Sequence, residues 1–530
     1  MRINALPDDI LRLVLLATLP AIKRKTARVK DGLRLLSVCK RWREIALPMV
    51  YDTVFIKCET QGGDGSECAD TETMLDLVLN VKCLHVVRRV VVAAHYRRDQ
   101  LSGLKAVIAR MREAADEWKG VRKLELSVKA AGLNAAERGP PASDHEDDIV
   151  SISNALAALM PGLLELKLGY YRQTQVTCAL FGRLVGLYAD QLQVLHSKHA
   201  LVVPQDRVLS RLRKVKMGSF RSDIVKFQLP RLDPEVIESL SLGIFTDNDM
   251  WSMFCADGDG HEISFPRLTN LYLTYGQGST GAAEHPWALR FPAVKHVRIA
   301  CPNEECPSME NAVFPARLER LELATGLTLQ HAIADAKVQV SRDLTLHTRY
   351  ASDEDSTGID IINRILAAAD NCWERGLSVN STTSIPPEFV TCTQLTHLYL
   401  CGPTGVDDLM EHVRRQPLLK VLSVNDLMMD DIQTDFTIPA CAEHEPVTPL
   451  DTQIRKLVIM GDQEDELQEQ VTQIVKYLLL KIPTLTSLFS LPVIPKQIRD
   501  FVDEYAQWYP HLANIKLELY DNIDHIDFGE

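Results

Sequence analysis

The sequence predicts an α/β protein in which a short N-terminal helical module precedes a long, curved solenoid with a parallel β-sheet on its inner face. Three observations predict it. The N-terminal segment has the pattern of short amphipathic helices, an apolar pattern spaced as L-x-x-L-x-L recurs along most of the 530 residues, and a proline precedes many copies of that pattern. Since strand and helix alternate and such connections are right-handed, neighbouring units stack into a parallel sheet.

The first element is a short amphipathic helix that begins near Pro7. Proline suits the first helical position because its missing N–H is no loss there, and Asp8 and Asp9 follow in the first turn, where the helix macrodipole favours negative charge. Apolar residues at i, i+3, i+4 and i+7 form one stripe, namely Ile10, Leu13, Val14 and Ala17. A helix this short cannot stand alone, so we expect it to dock.

A second helical segment follows Asp31, which is a suitable N-cap. Its apolar residues form one face that continues beyond a break: Leu33, Leu36, Cys39, Trp42, Ile45 and Ala46. We expect Pro48 to end this small bundle. Three helices of this size bury little apolar surface, so the segment would be marginal alone and would gain from a partner. This is typical of a docking module.

Three short runs near the N-terminus carry a resemblance to a known family: Leu6-Pro7-x-x-Ile10, Val38-Cys39-Lys40-x-Trp42 and Leu47-Pro48-x-x-Tyr51. Together they look like an F-box, particularly the kind found in fungal proteins, over residues 1–50. The resemblance implies binding to a Skp-type adaptor, and through it to a cullin, within a cullin-RING (SCF-type) ubiquitin ligase. The residues it assigns to the adaptor surface are Leu6, Pro7, Ile10, Leu13, Val14, Leu36, Val38, Cys39 and Trp42.

From about residue 87 the L-x-x-L-x-L pattern recurs, with Val, Ile or Met allowed at each place. Clear copies begin at Val87, Val121, Leu163, Leu212, Ile237, Leu268, Val294, Leu318, Leu395, Leu419, Ile454 and Leu512, and weaker ones lie near Leu192, Leu344, Leu377 and Leu485. We count about sixteen units, roughly 20 to 40 residues apart, a range that overlaps and exceeds that of leucine-rich repeats. The final L-x-L predicts a short strand whose inward side chains alternate with outward ones.

Helical patterns lie between many of these strands, at residues 149–160, 177–189, 359–372, 407–415, 464–482 and 496–508. Several of the helices are expected to stop at a proline two residues before the next strand pattern: Pro161, Pro266, Pro292, Pro417, Pro483 and Pro510. The array resembles the leucine-rich repeats that often follow an F-box, although the asparagine expected after each strand is missing. We assign residues 51–86 to a linker and the first helix of the array, with a strand-like run at 53–56 and a helix at 74–81, and residues 87–530 to the array.

Composition narrows the class of protein. A net charge of −13 argues against general nucleic-acid or anionic-membrane binding and favours basic partners. The 12 cysteines are too sparse for a disulfide scaffold and form no C-x-x-C pair. No signal peptide or membrane span is evident, so we expect a protein of the cytoplasm or nucleus.

One motif favours a different class of protein. Residues 276–281 read G-x-G-x-x-G directly after a predicted strand, and Glu304 and Glu305 follow further on. This pattern matches the fingerprint of a dinucleotide-binding site. Pro286 and Pro292 leave little room for the helix that must present its N-terminus to the pyrophosphate. The alternative is a glycine-rich loop between units. Residues 255–262 collect metal-capable side chains, but their spacing does not match a calcium loop.

These patterns lead to one favoured hypothesis and two alternatives. We expect no catalytic residues, no metal and no cofactor. The favoured hypothesis is an interaction protein that binds an adaptor through its F-box and an unknown target, for which the net charge favours a basic protein, through its repeats. The first alternative is a repeat scaffold whose N-terminal helices only cap the array. The second is a nucleotide-binding oxidoreductase that uses the Gly276 to Gly281 loop. Acidic residues that follow strands are expected to share one edge of the array: Glu146, Asp147, Asp148, Asp353, Glu354, Asp355, Asp426, Asp430, Asp431, Asp435, Asp462, Glu464, Asp465, Glu466, Asp521, Asp524 and Asp527.

Overall fold

A computed structural model of the chain shows an α/β protein dominated by parallel β-structure. It describes residues 7–18, 38–61, 67–70, 83–96, 101–130, 145–170, 175–197, 207–218, 231–244, 251, 253–254, 262–275, 288–300, 312–324, 339–350, 374–381, 394–428, 449–459, 465–490 and 495–519. The chain divides into two compact units, Met1–Arg290 and Phe291–Glu530, called here the N-terminal unit and the C-terminal unit.

The N-terminal unit begins with two helices and continues as a parallel sheet. Its helices are α1 Asp8–Thr18, α2 Lys40–Tyr51, α3 Ser102–Ala114, α4 Glu146–Leu159 and α5 Gln175–Leu187. Its strands are β1 Thr53–Gln61, β2 Glu67–Asp70, β3 Arg89–Tyr96, β4 Lys123–Ala130, β5 Glu165–Tyr170, β6 Val194–Ser197, β7 Val208–Leu209, β8 Lys214–Met217, β9 Arg231–Leu232, β10 Ser239–Ile244, β11 Glu262–Ser264, β12 Asn270–Tyr275 and β13 Ala288–Arg290. The sheet runs β1-β3-β4-β5-β6-β8-β10-β12 with every neighbouring pair parallel, and β2 pairs antiparallel with the end of β1. The short strands form separate parallel pairs, β7 with β9 and β11 with β13.

The C-terminal unit is built on the same parallel design, with main-sheet strands that range from four residues, as in Lys456–Ile459, to 12 in Gln339–Tyr350. Its helices are α6 Val406–Arg415, α7 Asp465–Lys481 and α8 Pro495–Tyr505. Its strands are β14 His296–Ala300, β15 Ala312–Val313, β16 Arg317–Ala324, β17 Gln339–Tyr350, β18 Glu374–Ser381, β19 His397–Gly405, β20 Val421–Met428, β21 Lys456–Ile459, β22 Ser487–Ser490 and β23 Lys516–Leu519. All neighbouring pairs are parallel in the order β14-β16-β17-β18-β19-β20-β21-β22-β23.

The strand predictions are confirmed for every copy of the apolar pattern, clear or weak, because each copy coincides with a strand of one of these two sheets. Burial explains why the pattern is a reliable signal. Leu124 and Leu126 are both 0% exposed, whereas Glu125 between them lies on the other face. Buried leucines at alternate positions therefore form the core face of each sheet, and the residues between them form what we call its polar face.

The recurring proline has a defined place in the backbone. In each case the residue two positions after it donates its N–H to the carbonyl before it, as Leu163 N does to Met160 O at 3.3 Å and Leu419 N does to Gln416 O at 3.1 Å. This puts proline at the second position of a β-turn, where its fixed φ is favoured. Pro266 and Pro292 depart from the prediction in one respect, since they follow the short strands β11 and β13 and not helices.

Three features of the N-terminal unit differ from the prediction. The strand-like run predicted at 53–56 is confirmed as the start of β1, with Val54 and Ile56 buried at alternate positions. Because β1 pairs with β3, however, the parallel sheet begins inside the interval 51–86, which was assigned to a linker and the first helix of the array. Helix α3 was not predicted. Pro48 does not end the bundle but lies inside α2, which continues to Tyr51. A proline there removes one helical hydrogen bond, and the burial of Val50 and Tyr51 beyond it offsets that cost.

The remaining helix predictions fall into two groups. Those at 149–160, 177–189, 407–415, 464–482 and 496–508 are confirmed to within a few residues by α4 to α8. The helices predicted at 74–81 and 359–372 lie outside the described residues, as does most of the first part of the segment that follows Asp31, whereas its later part, with Trp42, Ile45 and Ala46, is confirmed by α2. None of the helices in the described part of the chain has the length and apolarity needed to cross a membrane.

A charged residue interrupts the core face of the C-terminal unit. Arg375 on β18 is only 3% exposed and pairs in register with Leu344, which in turn pairs with Leu321. Its guanidinium donates to Gln394 Oε1, and its backbone N–H donates to Thr396 Oγ1 at 2.8 Å. The strand β18 therefore places a cation where β16 and β17 place leucine, and on its other side Arg375 faces Thr396.

Candidate functional site

The two N-terminal helices hold each other through an ion pair at their starts. Arg41 Nε donates to Asp8 Oδ1 at 2.8 Å, and α1 packs against α2. Leu11 and Ala46, both 0% exposed, lie in the small core that results. Trp42, at 9% exposed, is also mainly internal. These contacts fix the orientation of the α1 side chains that remain outside.

Three apolar side chains, two on α1 and one just before α2, are exposed, and we call them the docking surface. Ile10 is 44% exposed, Leu13 is 60% exposed and Val38, just before α2, is 54% exposed. Ile10 and Leu13 are three residues apart and so lie on the same side of α1, opposite to the buried Leu11. Large apolar residues grouped on an exposed helix indicate an interaction site when they form a patch.

The other residues assigned to the adaptor surface have varied positions. Pro7 is exposed, and Val14 and Cys39 are half-buried. Leu6 and Leu36 lie outside the described residues. Two residues of the apolar stripe predicted for α1, Ile10 and Leu13, are exposed. Among the side chains of this helix that the structure describes, the buried one is Leu11, which was not part of that stripe.

The end of α2 joins the N-terminal helices to the sheet. Val50 is 4% exposed and Tyr51 is 0% exposed, and α2 packs on the 3-10 turn Leu84–Val86. The carbonyl of Asp52 accepts hydrogen bonds from the backbone N–H groups of Arg88 and Arg89, both at 2.9 Å. The helices are therefore continuous with the first strands and are not a separate body on a linker.

A second candidate surface is the polar face of the N-terminal unit. Strand register places residues from successive strands side by side in two rows: Arg89, Lys123, Glu165, Val194 and Lys214 in one, and Val91, Glu125, Lys167, His196 and Lys216 in the other. Neighbouring parallel strands lie about 4.8 Å apart, so each row is a continuous line of side chains. This face was not recognised as a candidate site from the sequence. Its residues can nevertheless be found there, since they are the ones between the two leucines of each L-x-L.

Part of this face is neutralised by ion pairs. Glu125 accepts from Arg89 and, at 3.0 Å, from Lys167 Nζ, while Lys123 Nζ lies 2.8 Å from Glu165 Oε2. Burial by itself would raise the pKa of Glu125, but hydrogen bonds and charge from Arg89 and Lys167 outweigh it and hold this pKa below its usual value. Glu125 is thus a carboxylate shared by two cations.

The rest of the face keeps its positive charge. Lys214 and Lys216 of β8 are exposed, and neither forms an ion pair with any residue that the structure describes. Between them and Lys167 lies His196, whose pKa is lowered by burial first and then by the charges of Lys216, Lys123 and Lys167. The described part of this face therefore has an excess of cations around β5, β6 and β8.

The polar face of the C-terminal unit differs because several of its cations have a compensating partner on a neighbouring strand. Arg298 pairs with Glu322 at 3.1 Å, and Arg320 Nε pairs with Asp343 Oδ2 at 2.7 Å. The ammonium of Lys456 lies 4.5 Å from the centre of the Phe489 ring, a cation–π contact. These three cations are thus compensated by neighbouring side chains, whereas Lys516 of β23, in the same row as Lys456, is exposed and forms no ion pair with any described residue.

An aromatic and histidine cluster occupies the middle of that face. The rings of His397 and Tyr399 are stacked with centroids 6.4 Å apart. Burial lowers the pKa of His397 and raises that of Tyr399, so both are held neutral. Burial also raises the pKa of the Cys401 thiol, with a hydrogen bond from Ser378 acting the other way. A thiol with a raised pKa is a poor nucleophile at neutral pH.

Several sequence candidates cannot be placed. The glycine motif at 276–281, Glu304 and Glu305, and residues 255–261 lie outside the described residues. Within the described residues there is no group of three or more His, Cys, Asp or Glu side chains able to hold a metal ion.

The acidic edge expected from the sequence is only partly visible. Glu146, Asp147 and Asp148 form the first turn of α4, and Asp148 pairs with Lys105 of α3 at 2.6 Å. Asp426 lies on β20 and Asp465 and Glu466 start α7, and the other acidic residues of that group lie outside the described residues. The common edge therefore stays a prediction.

Comparison with models of known protein families and with curated proteins gave no match for this chain.

Proposed function

We propose that this protein is the substrate-recognition subunit of a cullin-RING (SCF-type) ubiquitin ligase. In this proposal residues 1–50 are an F-box that binds a Skp-type adaptor, and the rest is an irregular leucine-rich-repeat solenoid whose parallel sheet lines the inner face. The observation that carries it is the docking surface of Ile10, Leu13 and Val38, exposed on helices that are built into the start of the sheet. The sequence resemblance at the same residues supports the assignment.

The mechanism assigned to the protein is positional. The adaptor and cullin would hold a ubiquitin-charged enzyme at one end, while the sheet holds a target protein at a fixed distance from it. Holding two reactants in a suitable geometry converts a bimolecular step into an effectively unimolecular one, which is the largest contribution a subunit without its own chemistry can make. The protein would work where cullin ligases do, in the cytoplasm or nucleus.

One observation favours a second candidate, a repeat scaffold whose N-terminal helices act as a cap. Val50 and Tyr51 are buried and α2 packs on the turn Leu84–Val86, which is what a capping helix does for the first strand of an array. A cap, however, has no need for exposed apolar residues on its outer side. The docking surface therefore favours the ligase subunit.

The test is co-elution of the full chain with a Skp-type adaptor on size exclusion. A truncation at Tyr51 would remove buried residues, so substitution is the sharper perturbation. We expect the wild-type chain to co-elute and the triple variant Ile10→Asp, Leu13→Asp, Val38→Asp to elute alone. The matched control is the triple variant Val208→Asp, Val313→Asp, Leu418→Asp, since these three apolar residues are also exposed and lie outside the N-terminal helices. Failure of the wild-type chain to bind any Skp-type adaptor at micromolar concentration would favour the cap.

A further inference from the structure

The cations on the polar face of the N-terminal unit are more numerous than its folding requires. Arg89, Lys123 and Lys167 each face a carboxylate on a neighbouring strand. Lys214 and Lys216 have none among the described residues, and the neighbouring positions in register on β10 are Ser239 and Ser241. Two lysines at alternate positions of a single strand point to the same face and contribute nothing to the core, so both ammonium groups are available to a ligand.

The C-terminal unit provides an internal comparison. Its face is built from the same kind of strands, yet Arg298 and Arg320 pair with acids and Lys456 packs over Phe489. A cation on such a sheet can thus be compensated by the next strand along. A lysine without a carboxylate partner among the described residues also occurs there, at Lys516. None of the described strands of that unit carries two lysines at alternate positions, so the pair on β8 is a local feature.

The spacing of the lysines matches an extended peptide. Lys214 and Lys216 are two residues apart on one strand, which places them about 6.8 Å apart along the strand direction. A bound segment in extended conformation carries alternate side chains with the same repeat. Lys167, two strands away from β8, lies about 10 Å to the side and can contact a further acid.

We propose that the polar face over β5, β6 and β8 binds an extended peptide segment of the target protein with Asp or Glu at alternate positions, through Lys214, Lys216 and Lys167. This inference rests on the proposed function only in taking the ligand to be a target protein. It assigns that segment the opposite charge to the basic partner expected from composition. The reason is that net charge is a sum over the whole chain, whereas a short segment responds to the charges within about 8 Å.

His196 supplies a supporting signature. It lies between the lysines, and its pKa is depressed by burial and by the charges of Lys216, Lys123 and Lys167, with Glu165 acting the other way. An acidic peptide laid over it would raise that pKa, so binding would take up a proton. Affinity should therefore increase as the pH falls from 7.5 to 6.0, a range in which Asp and Glu of the peptide stay ionised.

The test measures binding of a fluorescently labelled peptide of alternating Glu and Ser to the full chain by anisotropy at low salt. We expect saturable binding that the double variant Lys214→Glu, Lys216→Glu weakens at least about tenfold, because attraction becomes repulsion at both sites. The matched control is Lys496→Glu, Arg499→Glu, which makes the same change of net charge on exposed residues of α8. The increase in affinity at pH 6.0 should be lost in His196→Gln.

The outcomes separate this inference from the proposed function. Equal weakening by the two double variants would mean a general charge effect and would overturn the site. Unchanged peptide binding in the β8 variant would also overturn it. A third contrary result is a single-stranded oligonucleotide of the same charge that binds more tightly than the peptide and is no longer bound by the β8 variant. Adaptor co-elution of the β8 variant should equal that of the wild type. A chain that binds the adaptor but not the peptide refutes this inference alone, and one that binds the peptide but not the adaptor refutes only the ligase role.

Discussion

Truncating the docking surface to alanine should weaken adaptor binding by an amount that follows from its exposure. Full burial of a Leu, Ile or Val side chain contributes about 1.5 to 3 kcal/mol. Since 44% of Ile10, 60% of Leu13 and 54% of Val38 is exposed in the free chain, a partner that covers them gains about 1 kcal/mol from each. The triple alanine variant should therefore lose about 3 kcal/mol, a rise in Kd of about 150-fold.

The assay is isothermal titration of a Skp-type adaptor into the full-length chain, with thermal unfolding measured in parallel. Exposed truncations change the free energy of unfolding by less than about 0.5 kcal/mol, so the Tm of the triple variant should stay close to that of the wild type. Trp42→Ala provides the contrast. Its buried ring costs about 3 to 5 kcal/mol to remove, so binding and Tm should fall together.

Two results would refute the reasoning. One is an unchanged Kd for the triple alanine variant, which would mean that the adaptor does not cover these side chains. The other is a fall in Tm of the triple variant as large as that of Trp42→Ala, which would mean that the docking surface is packed in the free chain.

Two further predictions concern the sheet. Gly120→Ala should destabilise the chain by about 1 to 3 kcal/mol because its Cβ would lie 2.9 Å from Val87 O, whereas Gly169→Ala should stabilise by about 0.4 to 1 kcal/mol because its Cβ would meet only a hydroxyl at 3.7 Å. Denaturant unfolding of both variants checks this, and equal effects would contradict it. The free energy of unfolding should also fall as the pH drops below about 6.5, since folding holds His196 and His397 neutral with lowered pKa values while the unfolded chain protonates them. Urea titrations at pH 7.5 and 5.5 should show a smaller drop in a variant with Gln at both positions, and an equal drop would contradict the assignment.

The strands were predictable from the sequence because their signal is local. Two buried leucines around one outward residue define a strand within three positions, as at Leu398, Tyr399 and Leu400. The helix α3 was not predicted, although Leu104 and Ile108 have helical spacing and lie between two copies of the strand pattern. The strand at 53–56 was predicted, but a single short run does not reveal that it pairs with β3 and begins the sheet.

The polar face could not be read as a site because its residues are far apart in sequence. Lys167 and Lys216 lie in one row, on either side of His196 of β6, only because the strands pair in chain order. The apolar periodicity of α1 also could not predict which side of the helix is buried. Ile10 and Leu13 form an apolar stripe whether it faces inward or outward, and only the packing of Leu11 against α2 decides between the two.

The buried guanidinium of Arg375 has a consequence for how the C-terminal unit opens. Each strand there is hydrogen-bonded only to its two neighbours, so the stability of the unit is approximately a sum of interfaces between adjacent strands. A charge in a leucine position makes the interfaces on either side of β18 the weakest of that sum. Amide hydrogens of β18 should exchange with solvent faster than those of β16 and β20. The unit should then behave as two cooperative folding blocks, one up to β17 and one from β19 onward.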